Sequence, residues 1–111
     1  MLYKVKYVII AKYMKDHSKA KCPIAKVASL LSDTWTMLIL RDLMKSEMRF
    51  SELHDSLTGI STRTLSLKLQ KLESEGIITK REPHYLISVK GKKLATIFDE
   101  MTKYGKKYLS R

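Results

Sequence analysis

The sequence predicts an α+β fold that is mostly α, and three observations carry this. Apolar residues recur at helical spacing in several separate stretches. Two short runs rich in β-branched and aromatic residues, "IITKR" (77–81) and "YLI" (85–87), flank the turn "EPH" and read as a hairpin. The 111 residues are 44% hydrophobic, which suits one domain with an ordinary core.

The elements follow in order. Residues 1–21 form a basic N-terminal arm. Within it "YKVKY" alternates apolar and basic residues as a strand or extended segment does, "VIIAKYM" fits strand or helix, and "DHSKAK" is a polar linker. Pro23 suits the first turn of a helix, where a missing N–H costs nothing. Ile24, Val27, Ala28 and Leu31 follow at helical spacing. Asp33 is placed to cap the next helix. That helix, "WTMLILRDLMK", is apolar almost all round and belongs at the centre of the core, with Trp35, Leu38, Ile39 and Leu43 as its main buried face.

Met48-Arg49-Phe50 has the length of one short strand. Ser51 is expected to cap a helix running through Leu53 to Leu57. Thr58-Gly59 makes a turn, with Gly59 at positive φ. Ser61 caps a helix whose apolar stripe is Leu65, Leu69 and Leu72, and Gly76 ends it. After the hairpin, Ser88 caps a last helix with a long stripe: Leu94, Ile97, Phe98, Met101, Tyr104 and Tyr108.

Two helices joined by a tight Gly turn and followed by a hairpin make a winged helix-turn-helix. The reading is a winged-helix domain over residues 22–111: helix-turn-helix at about 51–75, a small β-hairpin wing at about 77–88 and a terminal dimerisation helix at about 89–109. The last stripe is longer than one small core needs, so Leu94, Ile97, Phe98, Met101, Tyr104 and Tyr108 are candidates for a homodimer interface.

Charge points to the partner. Lys plus Arg number 22 and Asp plus Glu 11, a net of +11, and a charge that large on a small domain favours polyanions. It is segregated. Residues 1–26 carry seven Lys and one Asp, residues 27–60 three basic and five acidic side chains, and residues 61–93 eight basic and three acidic. The excess therefore sits on the arm and across the fourth helix and wing. The single cysteine excludes an internal disulfide and suits a reducing prokaryotic cytoplasm. No apolar run is long enough to span a bilayer, and no signal-peptide cleavage pattern follows the short apolar start.

In a helix-turn-helix, residues 61–75 occupy the recognition position, with the N-terminal outer face entering the major groove of double-stranded DNA. Base-edge candidates are Thr62, Arg63, Ser66, Leu67 and Gln70. Arg pairs with guanine and Gln with adenine, and an exposed Leu either meets a thymine methyl or does nothing. Phosphate candidates are Ser61, Thr64 and Lys71 on the helix and Lys80, Arg81, His84, Lys90 and Lys92 in and behind the wing.

Residues 22–109 resemble the HxlR-type winged-helix transcriptional regulators of bacteria and archaea. The matching pieces are Cys22-Pro23, "WTMLILRDLM" (35–44), "MRFSEL" (48–53), "GISTRTLSLKLQKLESEGII" (59–78), "YLISVKG" (85–91) and Tyr104-Gly105. The resemblance implies a homodimeric DNA-binding regulator paired largely through terminal helices. It also implies that a cysteine just before the first helix can sense oxidants or electrophiles, and Cys22 stands there. A helix N-terminus and Lys19, Lys21 and Lys26 favour a thiolate, although a free cysteine is more often a small residue that only packs at a helix start. Three departures stand out. Asp33-Thr34 replaces the family's usual Gly-Gly or Gly-Lys, the wing loop is short, and the N-terminal arm is longer and more basic.

Nothing supports catalysis, a cofactor or a metal: His17, His54 and His84 are scattered, no Cys/His spacing suits zinc, and no glycine-rich phosphate loop appears. The oxidant or small-molecule effector has no signature beyond Cys22. Two other classes remain: a winged-helix protein-interaction module, and a basic membrane-surface binder using "YVIIAKYM". Salt-sensitive, sequence-selective duplex binding separates the regulator from both.

Overall fold

The computed structural model describes residues 22–110. The expected strand, arm and linker of residues 1–21 lie outside them. The chain divides into two compact units, residues 1–34 and 35–111.

In the first unit the described helix is α1 (Pro23–Leu30), with Pro23 in the first turn as expected and Cys22 at the N-cap. Cys22 is buried, whereas Ile24 and Val27 are exposed.

The second unit holds the rest. Helix α2 (Thr34–Lys45) begins one residue after Asp33. Its buried residues are Thr36, Ile39, Leu40, Asp42 and Leu43; Trp35 and Leu38, expected on the buried face, are half-buried. The helix is apolar almost all round, so its pattern alone could not fix which side faces inward. Strand β1 (Met48–Arg49) is followed at once by α3 (Phe50–Ser56). Phe50 therefore belongs to the helix rather than the strand. Ser51 does not cap it: Arg49 holds the N-cap position and donates its N–H to the Glu52 carboxylate at 2.8 Å.

Gly59 makes the turn at φ 95°, and α4 (Thr62–Ser74) follows. Ser61 caps α4 as expected, its Oγ accepting the Thr64 N–H at 3.0 Å. Gly76, at φ 74°, ends it. The Ile77 N–H reaches back to the Leu72 carbonyl at 3.0 Å and the Gly76 N–H to Glu73 at 3.0 Å, the paired bonds of a Schellman stop.

Strands β2 (Ile78–Arg81) and β3 (His84–Ile87) form the hairpin, joined by Glu82-Pro83, and β1 adds to the far edge of β3 for a sheet order β1-β3-β2. All pairs are antiparallel, with Lys80 opposite Tyr85 and Arg81 opposite His84. The expected single terminal helix is instead broken. Ser88 caps a short α5 (Val89–Lys92), then α6 (Ala95–Tyr104) runs into a π-helical segment, Gly105–Leu109. Leu94, between α5 and α6, is buried.

The core draws on Ile39, Leu40, Leu43, Leu53, Leu57, Ile60, Leu65, Leu69, Leu72, Ile77, Ile78, Tyr85 and Leu94. A polar contact reaches into it. The buried Asp42 carboxylate accepts from the Arg41 guanidinium at 3.0 Å and from the Ser56 hydroxyl at 2.7 Å. Ser56 is the last residue of α3, so this bond ties the first helix of the helix-turn-helix to α2. A lone acid inside "LILRDLM" was the available signal for it.

Candidate nucleic-acid interface

The face of α4 is set by burial of its opposite side. Leu65, Leu69 and Leu72 are at most 1% exposed. Successive residues turn by about 100°, so Arg63, Leu67, Gln70 and Lys71 all fall within about 60° of the direction opposite these leucines. All four are exposed, as is Thr62. Ser66 and Thr64 are half-buried on the flanks. The side chains of Arg63, Gln70 and Lys71 take no hydrogen bond or ion pair among the described residues.

The N-terminus of α4 is organised locally. The Ser61 hydroxyl donates to Thr64 Oγ1 at 2.9 Å while accepting the Thr64 N–H. The Ser61 hydroxyl and the Thr64 N–H are thus engaged in the cap, which leaves the Thr62 and Arg63 N–H groups and the Thr64 O–H as donors at this end of the helix. Ser61→Ala is expected to destabilise the protein by about 1 kcal/mol. Urea melts of the two proteins measure this, and equal midpoints would contradict it.

The wing's cations are held by acids. Lys80 Nζ lies 2.9 Å from Glu82, which pushes the Lys80 pKa above its ordinary value, and 5.3 Å from the Tyr85 ring centre. Arg81 reaches Glu47 at 3.2 Å, and His84 Nδ1 lies 3.8 Å from the same carboxylate. An exposed pair such as Arg81–Glu47 contributes only about 0–1 kcal/mol, so a phosphate can compete for it. Lys90 is placed otherwise. Its ammonium donates to the Glu75 carbonyl at 3.0 Å and closes the C-terminus of α4. Lys92 lines a cleft of about 240 Å³ with Leu43, Lys45, Glu47 and Leu86. Glu47 was not legible as a wing partner, because it lies 34 residues from Arg81 in sequence.

The candidate dimer face divides. Leu94 is buried and Phe98 half-buried, while Ile97, Met101, Tyr104 and Tyr108 are exposed, together with Leu109, which the sequence reading did not single out. The Tyr104 and Tyr108 rings lie 4.9 Å apart, which the turn of the π-helical segment allows.

An outward polar arc on the second helix of a helix-turn-helix, followed by a β-hairpin wing against which β1 pairs, is the arrangement of a winged-helix regulator. The model of the HxlR-like helix-turn-helix family matches residues 30–111. The chain belongs to that family. Similar proteins are described as HTH-type transcriptional regulators. An uncharacterised HTH-type transcriptional regulator of Synechocystis sp. is 35% identical over 97 residues, covering 81% of this chain and 72% of that protein. The HTH-type transcriptional regulator YodB of Bacillus subtilis is 30% identical over 95 residues, covering 78% of this chain and 85% of YodB. The crystal structure of quinone-bound YodB superposes with a TM-score of 0.73 at 29% identity, covering 77% of this chain and 97% of that one. A MarR-family structure from Porphyromonas gingivalis W83 gives 0.74 at 30% identity, covering 80% and 94%. These relatives are transcriptional regulators, and this HxlR-like chain is one of their kind rather than an enzyme.

Proposed function

We propose that the chain is a homodimeric, sequence-specific regulator that places α4 in the major groove of double-stranded DNA. The outward arc of α4 carries this reading. Arg63, in the first turn of α4, and Gln70, about two turns further along, are exposed and without a partner among the described residues. Arg63 suits guanine O6 and N7, and Gln70 suits adenine N6 and N7. Lys71 and the Thr62 and Arg63 N–H groups suit phosphate. Arg81 and Lys80 join them on the backbone once a phosphate displaces Glu47 and Glu82. Sequencing genomic fragments retained by the purified protein tests the reading. A shared motif with two-fold symmetry is expected, and fragments without any common sequence would refute it.

Pairing runs through the exposed face Ile97, Met101, Tyr104 and Tyr108, which would bury this apolar surface in a second copy. Light scattering at micromolar concentration is expected to give twice the chain mass of 12.9 kDa. A monomer that still binds symmetric DNA as two independent units would overturn it.

Cys22 is the proposed point of regulation. It is the N-cap residue of α1, in extended conformation (φ −77°, ψ 118°) directly before Pro23, and YodB is known in a quinone-bound form. Attack of the thiolate on a C–H ring carbon of a quinone forms a C–S bond as the ring C=C π bond opens and its electron pair moves to the conjugated carbonyl oxygen. The proton given up by the thiol goes to that oxygen and the hydrogen of the attacked carbon to the other, which leaves a hydroquinone thioether with no outside oxidant or reductant. Cys22 is only 9% exposed, so the reaction follows local opening. One adduct per chain by mass spectrometry and a fall in DNA affinity of about tenfold are expected, within the usual range of allosteric coupling. Cys22→Ser should lose both responses. An adduct that leaves affinity unchanged would make Cys22 a packing residue.

A further inference from the structure

Leu67 interrupts the polar arc of α4. It is 53% exposed and lies about 170° round the helix from the buried leucines, so the protomer core does not use it. Single exposed leucines are ordinary. This one stands at the centre of a face whose neighbours are a guanidinium, an amide and an ammonium, with Arg63 one turn before it and Gln70 and Lys71 one turn after.

The edges of the base pairs offer the major groove one apolar group, the thymine C5 methyl. A leucine pressed on guanine would cover two acceptors without pairing them, and cytosine presents a bare C5–H beside its amino group. We infer that Leu67 is a specificity-determining residue that packs on the C5 methyl of a thymine. The inference rests on the proposed placement of α4 in the groove. The rise of about 1.5 Å per residue sets Leu67 about 6 Å along the axis from Arg63 and about 4.5 Å from Gln70. Base pairs repeat every ~3.4 Å, so the thymine lies between the pairs met by Arg63 and Gln70, one or two steps from each. Each half-site then reads a G·C pair, a T·A pair and an A·T pair in that order along the groove.

The test uses the full chain and the best duplex from the genomic selection. Each thymine of a half-site is replaced in turn by deoxyuridine, which removes only the methyl. At one position the wild-type affinity should fall about fourfold, the worth of one buried methyl group. Leu67→Ala, an exposed change to a strong helix former, should bind the thymine and uracil duplexes alike. At the same position 5-methylcytosine should bind better than cytosine in the wild type and not in Leu67→Ala. Thermal melts check that the variant is folded. A uracil penalty of the same size in both proteins, or none at any thymine, overturns the inference while leaving groove binding intact. If no duplex is preferred over any other, the proposed function fails and this inference with it.

Discussion

Gly91→Ala should destabilise the protein by about 3 kcal/mol, at the upper end of what overpacking costs. A Cβ at this position would stand 2.3 Å from the Ile77 carbonyl oxygen and 2.7 Å from the Ile87 side chain. The first of these is backbone and cannot rotate away. Ile77 also serves the Ser88 cap: its carbonyl accepts the Ser88 N–H at 3.0 Å and lies 2.8 Å from the Ser88 hydroxyl. Moving α5 to admit a methyl group would therefore strain the cap, the end of α4 and the root of the wing together. The melting temperature should fall by more than about 10 °C for a chain of this size. Thermal unfolding followed by circular dichroism measures it, and a shift of only a degree or two would mean that α5 moves freely.

Arg63→Ala and Gln70→Ala should each relax sequence preference by about 1–3 kcal/mol at one or two base pairs. Neither side chain supports the fold: both are exposed, and the leucines opposite hold the helix. Their loss is therefore read in DNA binding and not in stability. Lys71→Ala, from the same arc, should instead weaken all duplexes alike and lower the salt slope by about one unit if it meets phosphate. Affinity for every single-base variant of the operator separates these outcomes. If Arg63→Ala lowers affinity uniformly, Arg63 is a phosphate contact and the base-reading role passes to its neighbours.

Local signals carried much of this fold in the sequence. Ser61, Gly59 and Gly76 announce the start, the turn and the stop of the recognition helix, because capping and positive φ are demands of a few adjacent residues. The leucine stripe of α4 was equally plain, since one face is apolar and the other is not. Where both faces are apolar the phase was lost: in α2, Leu40 is buried and Trp35 is not fully so. Ser51 looked like a cap by residue type, but the register of β1 against β3 starts α3 two residues earlier and hands the N-terminus to Glu52. The break after Lys92 was hidden because the apolar spacing continues through it. At the interface, the exposed arc was legible from the wheel, whereas the partners of the wing cations were not. Glu47 and Glu75 meet Arg81 and Lys90 only through the folded chain.

Whether α4 reads sequence is measured by titrating wild type and Arg63→Ala with the selected operator and a scrambled duplex of equal length, across a series of salt concentrations. Wild type should prefer the operator by about 10³-fold or more, the lower range for specific DNA-binding proteins. Both duplexes should show steep salt dependence, and Arg63→Ala should narrow the gap between them. Equal affinity of the wild type for both duplexes at every salt concentration would mean that α4 does not read sequence.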